Sequence, residues 1–159
     1  MSVYFLDSSA LVKRYVTEPG SAWIRRITAP AARNHLIIAR VTWVETLSAL
    51  ARRRREESLS STDVSQVIRN LRHDFDTQYH VAEVNRQLVE TAGDLVLRHP
   101  LRAYDAIQLA AAVQIHEALT EAGAAPLVFA FADERIVHVT TYYDRLGMLK
   151  QLGLVSVQG

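Results

Sequence analysis

The chain has 159 residues, of which 49% are hydrophobic and 22% charged, and its formal net charge is +1. This composition predicts one globular domain over residues 1–159 with a sizeable core, and it excludes a disordered or low-complexity protein. The absence of cysteine excludes disulfides and thiolate metal sites. No apolar run approaches the roughly 18 residues of a membrane span. We therefore expect a cytoplasmic protein without a signal peptide or a membrane partner.

The first half of the chain alternates short apolar segments with helical patterns. Residues 3–6 and 35–39 are short, apolar and bounded by polar residues, which predicts two buried strands. Apolar residues at helical spacing predict helices between and after these strands. Three helices cover about residues 9–16, 21–30 and 41–55, and Ser21 is the expected cap of the second. A fourth helix follows a cap at 60–63.

The second half continues the alternation. Residues 79–84 hold a short strand, and the helix after it ends before Pro100. The segment 102–115 is apolar on almost every side, which is typical of a buried helix. A continuous apolar strand is predicted at 126–133. The tail alternates over 136–143, enters a helix near Asp144 and ends in a strand at 154–157.

Strands that alternate with helices indicate an α/β fold with a central parallel sheet covered on both faces. Ligands of such sheets bind beyond the carboxyl ends of the strands. Asp7 directly follows the first predicted strand, and Asp133 ends the strand at 126–133. We therefore expect these two aspartates to share one rim of the sheet.

Two further carboxylates occupy helices with strong apolar character. Glu45 lies at the edge of an apolar helix face, and Asp105 lies in the first turn of the most apolar helix. Burial of an unpaired carboxylate is costly, and several carboxylates together repel one another. A divalent cation with a preference for oxygen ligands, Mg²⁺ or Mn²⁺, relieves both costs.

Each acid taken alone has a simpler interpretation. Asp7 is a typical helix cap, Glu45 a typical boundary residue, and Asp133 a typical turn residue. Asp105 is also favoured by the positive end of its helix. A common metal site is the hypothesis that explains all four positions together.

Four segments that carry these acids resemble the signature segments of PIN-domain nucleases, and most closely those of VapC-type toxins of bacterial toxin–antitoxin pairs. They read YFLDSSALVKRY, VETLSAL, RAYDAIQLAAA and LVFAFADERI. The first and third are the longest and most specific. The resemblance extends from residue 3 to about residue 137, which is most of the chain.

The resemblance implies a single-domain α/β/α sandwich and an Mg²⁺- or Mn²⁺-dependent endoribonuclease. It assigns metal binding and catalysis to Asp7, Glu45, Asp105 and Asp133. We expect Asp7 and Asp105 to be the inner ligands of one or two ions, and Glu45 and Asp133 to contact metal directly or through water. It further implies RNA as the substrate, a cognate antitoxin that docks near Trp23, Leu47 and Leu50, and a homodimer.

The fourth acid and one hydroxyl are left open by the sequence. Asp144 fits the family's spacing after the fourth aspartate better than Asp133 does, but we favour Asp133, because it directly follows a buried strand whereas Asp144 follows a more polar segment. Ser9 is either a helix cap or an additional hydroxyl in the site.

Basic residues give candidates for RNA binding. Lys13 and Arg14 follow Asp7 by one or two helical turns, and Arg102 precedes the Asp105 helix. The run 52–55 consists of four arginines, and it is either a solvated end of the Glu45 helix, favourable to the helix dipole, or a contact for RNA.

Two other functions compete with the nuclease hypothesis. Phosphate-ester chemistry through an aspartyl nucleophile requires a D-x-D motif. Such a motif beginning at Asp7 would need an aspartate at position 9, where this chain has serine. A non-catalytic module that binds RNA or a protein on the same fold is the alternative from another class, and the presence of all four acids counts against it.

Overall fold

The structure is a computed structural model, and it describes residues 1–132 and 137–141. In that part of the chain, five strands alternate with six α-helices. The strands are β1 (Val3–Leu6), β2 (His35–Ala39), β3 (Tyr79–Ala82), β4 (Leu127–Ala132) and β5 (Val137–Thr141). The helices are α1 (Ser8–Tyr15), α2 (Ser21–Thr28), α3 (Thr42–Arg55), α4 (Ser61–Thr77), α5 (Arg86–Arg98) and α6 (Ala103–Glu121).

The strands form one sheet in the order β3-β2-β1-β4-β5. The first four are parallel, which confirms the predicted central parallel sheet. β5 pairs with β4 in the antiparallel direction, so the sheet has one antiparallel edge strand. The predicted helix near Asp144 and the strand at 154–157 lie outside the described residues.

Alternating side chains of the strands supply two separate cores. Val3 and Phe5 of β1 face α5 and α6, and the ring of Phe5 stacks on that of Phe129 at a centroid distance of 5.4 Å. Tyr4 and Leu6 face the opposite layer. Because both faces bury apolar side chains, the strands read as continuous apolar runs, and the molecule is an α/β/α sandwich.

The second layer consists of α1, α2 and α4, with α3 packed beside them. Ile24 of α2 and Leu71 of α4 are fully buried against the sheet. α3 contacts α4 around Leu50, Val64 and Val67, which form a smaller satellite cluster. This arrangement holds α3 along the side of α1, near the carboxyl end of β1.

Two helix boundaries differ from the sequence expectation. Ser21 is the first helical residue of α2, and its cap is Gly20, whose φ of 89° suits glycine. The helix at 102–115 extends to Glu121. The cap expected at 60–63 is confirmed and takes the form of a capping box, because the side chains of Ser60 and Asp63 each bond the other's backbone N–H. Across the described part of the chain, no helix is both long and apolar enough to cross a bilayer.

Candidate active site

Asp7 ends β1 and begins α1. Its backbone N–H donates to the carbonyl of Ala130 on β4 at 3.1 Å, which keeps Asp7 in register with the sheet. Its Oδ1 accepts hydrogen bonds from Ala10 N at 2.8 Å and from Ser9 Oγ at 2.6 Å. Asp7 is therefore the N-cap of α1, and its half-buried carboxylate is fixed at the carboxyl end of the strand.

Glu45 lies in the first turn of α3 and is half-buried. Its Oε2 accepts a hydrogen bond from Nε2 of Gln108 at 2.5 Å, and the Ser8 side chain also hydrogen-bonds to it. Two neighbouring elements, α1 and α6, thus hold the Glu45 carboxylate in place.

Asp105 is exposed, which differs from the burial expected of the apolar helix that carries it. Burial of α6 begins one residue later, at Ala106, because the first turn of the helix projects beyond the core. Its exposure leaves this carboxylate accessible to solvent and ligands.

The three carboxylates of Asp7, Glu45 and Asp105, here called the acidic cluster, are close enough for the charges of Glu45 and Asp105 to act on Asp7 and for that of Asp105 to act on Glu45. Burial raises the pKa of Asp7 from 3.8 to about 7, although hydrogen bonds from Ser9 and Ala10 oppose the rise. The charges of Glu45 and Asp105 contribute to this raised pKa.

The pKa of Glu45 is raised for similar reasons. Burial is the largest cause of its raised pKa, the Gln108 hydrogen bond opposes the rise, and the Asp105 charge adds to it. Among residues 1–132, none of the ion pairs involves a member of the acidic cluster. The negative charge is therefore not balanced by a described arginine or lysine.

The oxygen atoms of the acidic cluster, with the Ser9 hydroxyl beside Asp7, are ligands that suit a hard divalent cation. Within the ranges 1–132 and 137–141, no group of three or more histidine, aspartate or glutamate side chains is close enough together to hold a metal ion. The residues thus fit Mg²⁺ or Mn²⁺ in kind but do not form a closed ligand shell. Asp133 and Asp144, the two candidates for the fourth acid, lie outside the described residues.

A buried polar group supports Glu45 from behind. Gln108 is 4% exposed, and its Nε2 also donates to Oγ1 of Thr42 at 2.9 Å. Within the part of the chain that the structure describes, its Oε1 and the Oγ1 of Thr46 have no hydrogen-bond partner. Sequence reasoning missed these residues, although a glutamine inside an almost wholly apolar helix was a visible signal.

An open cleft of about 840 Å³ adjoins the acidic cluster. Glu45, Ser8 and Ser9 line it together with Tyr104 and Val44. Its basic lining residues are Lys13, Arg52, Arg53, Arg55 and Arg102. Three arginines of the run at 52–55 thus line the cleft that adjoins the acidic cluster, while Arg54 is outside the lining.

The two basic residues that follow Asp7 have different surroundings. Lys13 lines the cleft, but it is buried, and its Nζ pairs with Glu18 Oε2 at 3.2 Å. Glu18 also pairs with Arg53. Arg14 is not a lining residue, because its guanidinium is 3.1 Å from Asp74 and donates to the Tyr79 hydroxyl at 2.7 Å. Arg14 is therefore engaged in an internal network, which does not support the expected contact with RNA.

The family model of the PIN domain matches residues 4–140 of the chain. The chain belongs to the PIN domain family. This confirms the resemblance inferred from the four sequence segments.

Curated relatives of this PIN domain carry the VapC name. The chain is 28% identical over 115 residues to Ribonuclease VapC45 of Mycobacterium tuberculosis (strain CDC 1551 / Oshkosh), which is 72% of this chain and 78% of the relative. The figures for Ribonuclease VapC49 of M. tuberculosis (strain ATCC 25618 / H37Rv) are the same. The resemblance to VapC-type members is confirmed.

A solved structure shares the fold of this PIN domain. The crystal structure of M. tuberculosis VapC20, a toxin that cleaves the sarcin-ricin loop, superposes with a TM-score of 0.55. The match covers 78% of this chain and 86% of that one, at 17% identity. At this identity the likeness concerns the fold, and it agrees with the α/β/α sandwich described above.

Proposed function

We propose that this PIN domain is an Mg²⁺- or Mn²⁺-dependent endoribonuclease and the toxin of a toxin–antitoxin pair. The observation that carries the proposal is the acidic cluster near the carboxyl end of β1, in which the charge of Asp105 acts on both Asp7 and Glu45 and no described cation pairs with any of the three. The ribonuclease names of the curated relatives support the same activity.

Asp7 and Asp105 would be the inner ligands of the metal, and Glu45 would contact it directly or through water. Either Asp133 or Asp144 would supply the fourth carboxylate. A bound divalent ion lowers the pKa of a coordinated water and stabilises negative charge on a phosphate. One or two ions are compatible with these ligands.

The residues around the acidic cluster would fix its geometry. The Ala10 amide and the Ser9 hydroxyl donate to one oxygen of Asp7, so its other oxygen is available to a ligand. Gln108 donates to one oxygen of Glu45 in the same manner. Each carboxylate would thus be oriented before metal and substrate bind, which lowers the cost of assembling the site.

An antitoxin and a second copy of the chain would be the protein partners, and the cytoplasm would be the place of action. The expected antitoxin contact requires one revision. Leu50 is fully buried with Val64 and Val67, so it is not accessible to a partner, whereas Trp23 and Leu47 are partly exposed.

The proposal is tested by incubating purified protein with RNA, with and without a chelator. We expect cleavage with Mg²⁺ or Mn²⁺ that EDTA abolishes, and none by Asp7→Asn prepared in the same way, which excludes a contaminating nuclease. Cleavage that is unaffected by EDTA or by Asp7→Asn would overturn the proposal. RNA binding without cleavage by the wild type would favour the alternative, a non-catalytic binding module.

A further inference from the structure

The cleft extends away from the acidic cluster along one face of α3. Glu45, Ser48, Arg52 and Arg55 all line it, and their spacing of three or four residues places them on a single helix face. Given a rise of 1.5 Å per residue, Arg52 lies about 10 Å and Arg55 about 15 Å from Glu45 along the helix axis. The same helix thus joins an acid of the site to a row of cations.

Three arginines of the cleft are available to a ligand. Arg52, Arg55 and Arg102 are exposed and take part in none of the ion pairs among the described side chains. Lys13 and Arg53 differ, because both are paired with Glu18. The wall of the cleft therefore presents free guanidinium groups, which suit the phosphates of a polyanion.

Two large apolar side chains are also exposed at this cleft. Tyr104 is 48% exposed and Val44 is 49% exposed, and both are lining residues. Tyr104 directly precedes Asp105 at the start of α6, and it lines the cleft together with Glu45 of the acidic cluster. An exposed aromatic ring beside free arginines has the chemistry of a platform for an unpaired nucleobase.

We propose that this cleft binds a single strand of RNA, with Arg52, Arg55 and Arg102 on its phosphates and Tyr104 stacked on a base beside the bond to be cut. The proposal rests on the proposed function, because it takes the acidic cluster as the place of cleavage. A single strand is required, since the faces of paired bases are covered by their neighbours. Arg53 would remain with Glu18 and contribute little.

The phosphate contacts are tested by binding alone, with a fluorescent single-stranded oligoribonucleotide and the Asp7→Asn protein in EDTA at several salt concentrations. Each of Arg52→Ala, Arg55→Ala and Arg102→Ala should weaken binding and reduce the slope of log K against log salt by about 0.7. Arg54→Ala is the matched control, because it removes the same charge from the same helix outside the cleft. Equal effects of Arg52→Ala and Arg54→Ala would overturn the phosphate assignment.

The stacking contact is tested in the same background. Tyr104→Ala should weaken binding by about fivefold to 100-fold without a change in the salt slope, and Tyr104→Phe should restore it. Binding of duplex RNA should not respond to either change. An unchanged affinity of Tyr104→Ala for the single strand would overturn the stacking assignment.

Two further outcomes separate this inference from its alternatives. If the cleft variants bind RNA normally but lose an acidic protein partner, the cleft is a protein-docking site and the inference fails. If the wild type does not cleave RNA, yet its binding depends on Arg52 and Tyr104 but not on Arg54, the proposed nuclease function fails while the binding site stands. The binding assay needs neither metal nor turnover, so the two failures are distinguishable.

Discussion

The side-chain amide of Gln108 donates a 2.5 Å hydrogen bond to the carboxylate of Glu45. The two residues are 63 positions apart in sequence, on helices from different layers of the sandwich. Because Gln108 is buried and one turn beyond Asp105, it connects two members of the acidic cluster through the interior of the molecule. We regard it as a positioning residue for Glu45.

Replacement of Gln108 should therefore impair activity more than folding. We expect Gln108→Leu to lower metal affinity or kcat by about 10-fold to 100-fold, as is common for residues that orient metal ligands. The KM for RNA should change little, since Gln108 is not among the residues that line the cleft. Steady-state kinetics at several Mg²⁺ concentrations, together with a thermal melt, provide the measurement.

Gln114→Leu is the control for this prediction, because Gln114 is half-buried on the same helix but lies almost two turns farther from the cluster. It should leave the kinetics unchanged. An equal loss of kcat in both variants would show that the effect comes from α6 as a whole and not from the Glu45 contact.

The raised pKa of Asp7 predicts that metal-free protein loses stability as the pH rises. The pKa is 3.8 ordinarily and about 7 in the folded protein, chiefly because of burial. Between these values the folded state binds more protons than the unfolded state, so the free energy of unfolding falls with increasing pH and levels off above about 7. The total effect is about 4 kcal/mol, at 1.36 kcal/mol per unit of pKa.

Urea denaturation in EDTA at pH 4.5 and pH 8 checks this prediction, with Asp7→Asn as the reference. Asparagine caps a helix about as well as aspartate and carries no charge, so the fold should be kept. The variant should be more stable than the wild type at pH 8, and the difference should be several times smaller at pH 4.5. The same stability difference at both pH values would contradict the account.

Arg14 should matter for stability and not for RNA. Its guanidinium joins Asp74 and the Tyr79 hydroxyl, and the Tyr15 hydroxyl donates to Asp74 at 2.6 Å. We expect Arg14→Met to destabilise the protein by about 2–4 kcal/mol, because it leaves Asp74 without its cation in a partly buried network. Arg52→Met should show the reverse pattern, with normal stability and weaker RNA binding. Denaturant titrations of both variants measure the stability, and fluorescence anisotropy titrations measure the RNA binding.

Local sequence patterns predicted much of the fold. The apolar runs at 3–6, 35–39 and 126–133 were interpreted as buried strands, and they form the centre of the sheet. Continuous apolar runs are enough to locate these strands, because each strand is covered on both faces. The position of Asp7 at the carboxyl end of β1 followed directly from that interpretation.

Features that depend on how distant elements meet were not predictable from local patterns. Asp105 is exposed although its helix is apolar, because the first turn of α6 extends past the core. The four arginines at 52–55 point to all sides of α3. The cleft forms where α3 lies next to α1 and α6, so the positions of these helices determine that Arg54 does not line it. The partner of Gln108 likewise depends on long-range packing, and sequence periodicity carries no information about it.

The most direct test of the central claim, that the acidic cluster is one divalent-metal site, is a Mn²⁺ titration of metal-free protein followed by electron paramagnetic resonance. The wild type should bind one or two ions per chain and remove their signal from that of free Mn²⁺, whereas Asp7→Asn and Asp105→Asn should lose this binding while their thermal melts show a folded protein. Binding of Mn²⁺ by both variants with wild-type affinity, or no binding by the wild type, would contradict the account.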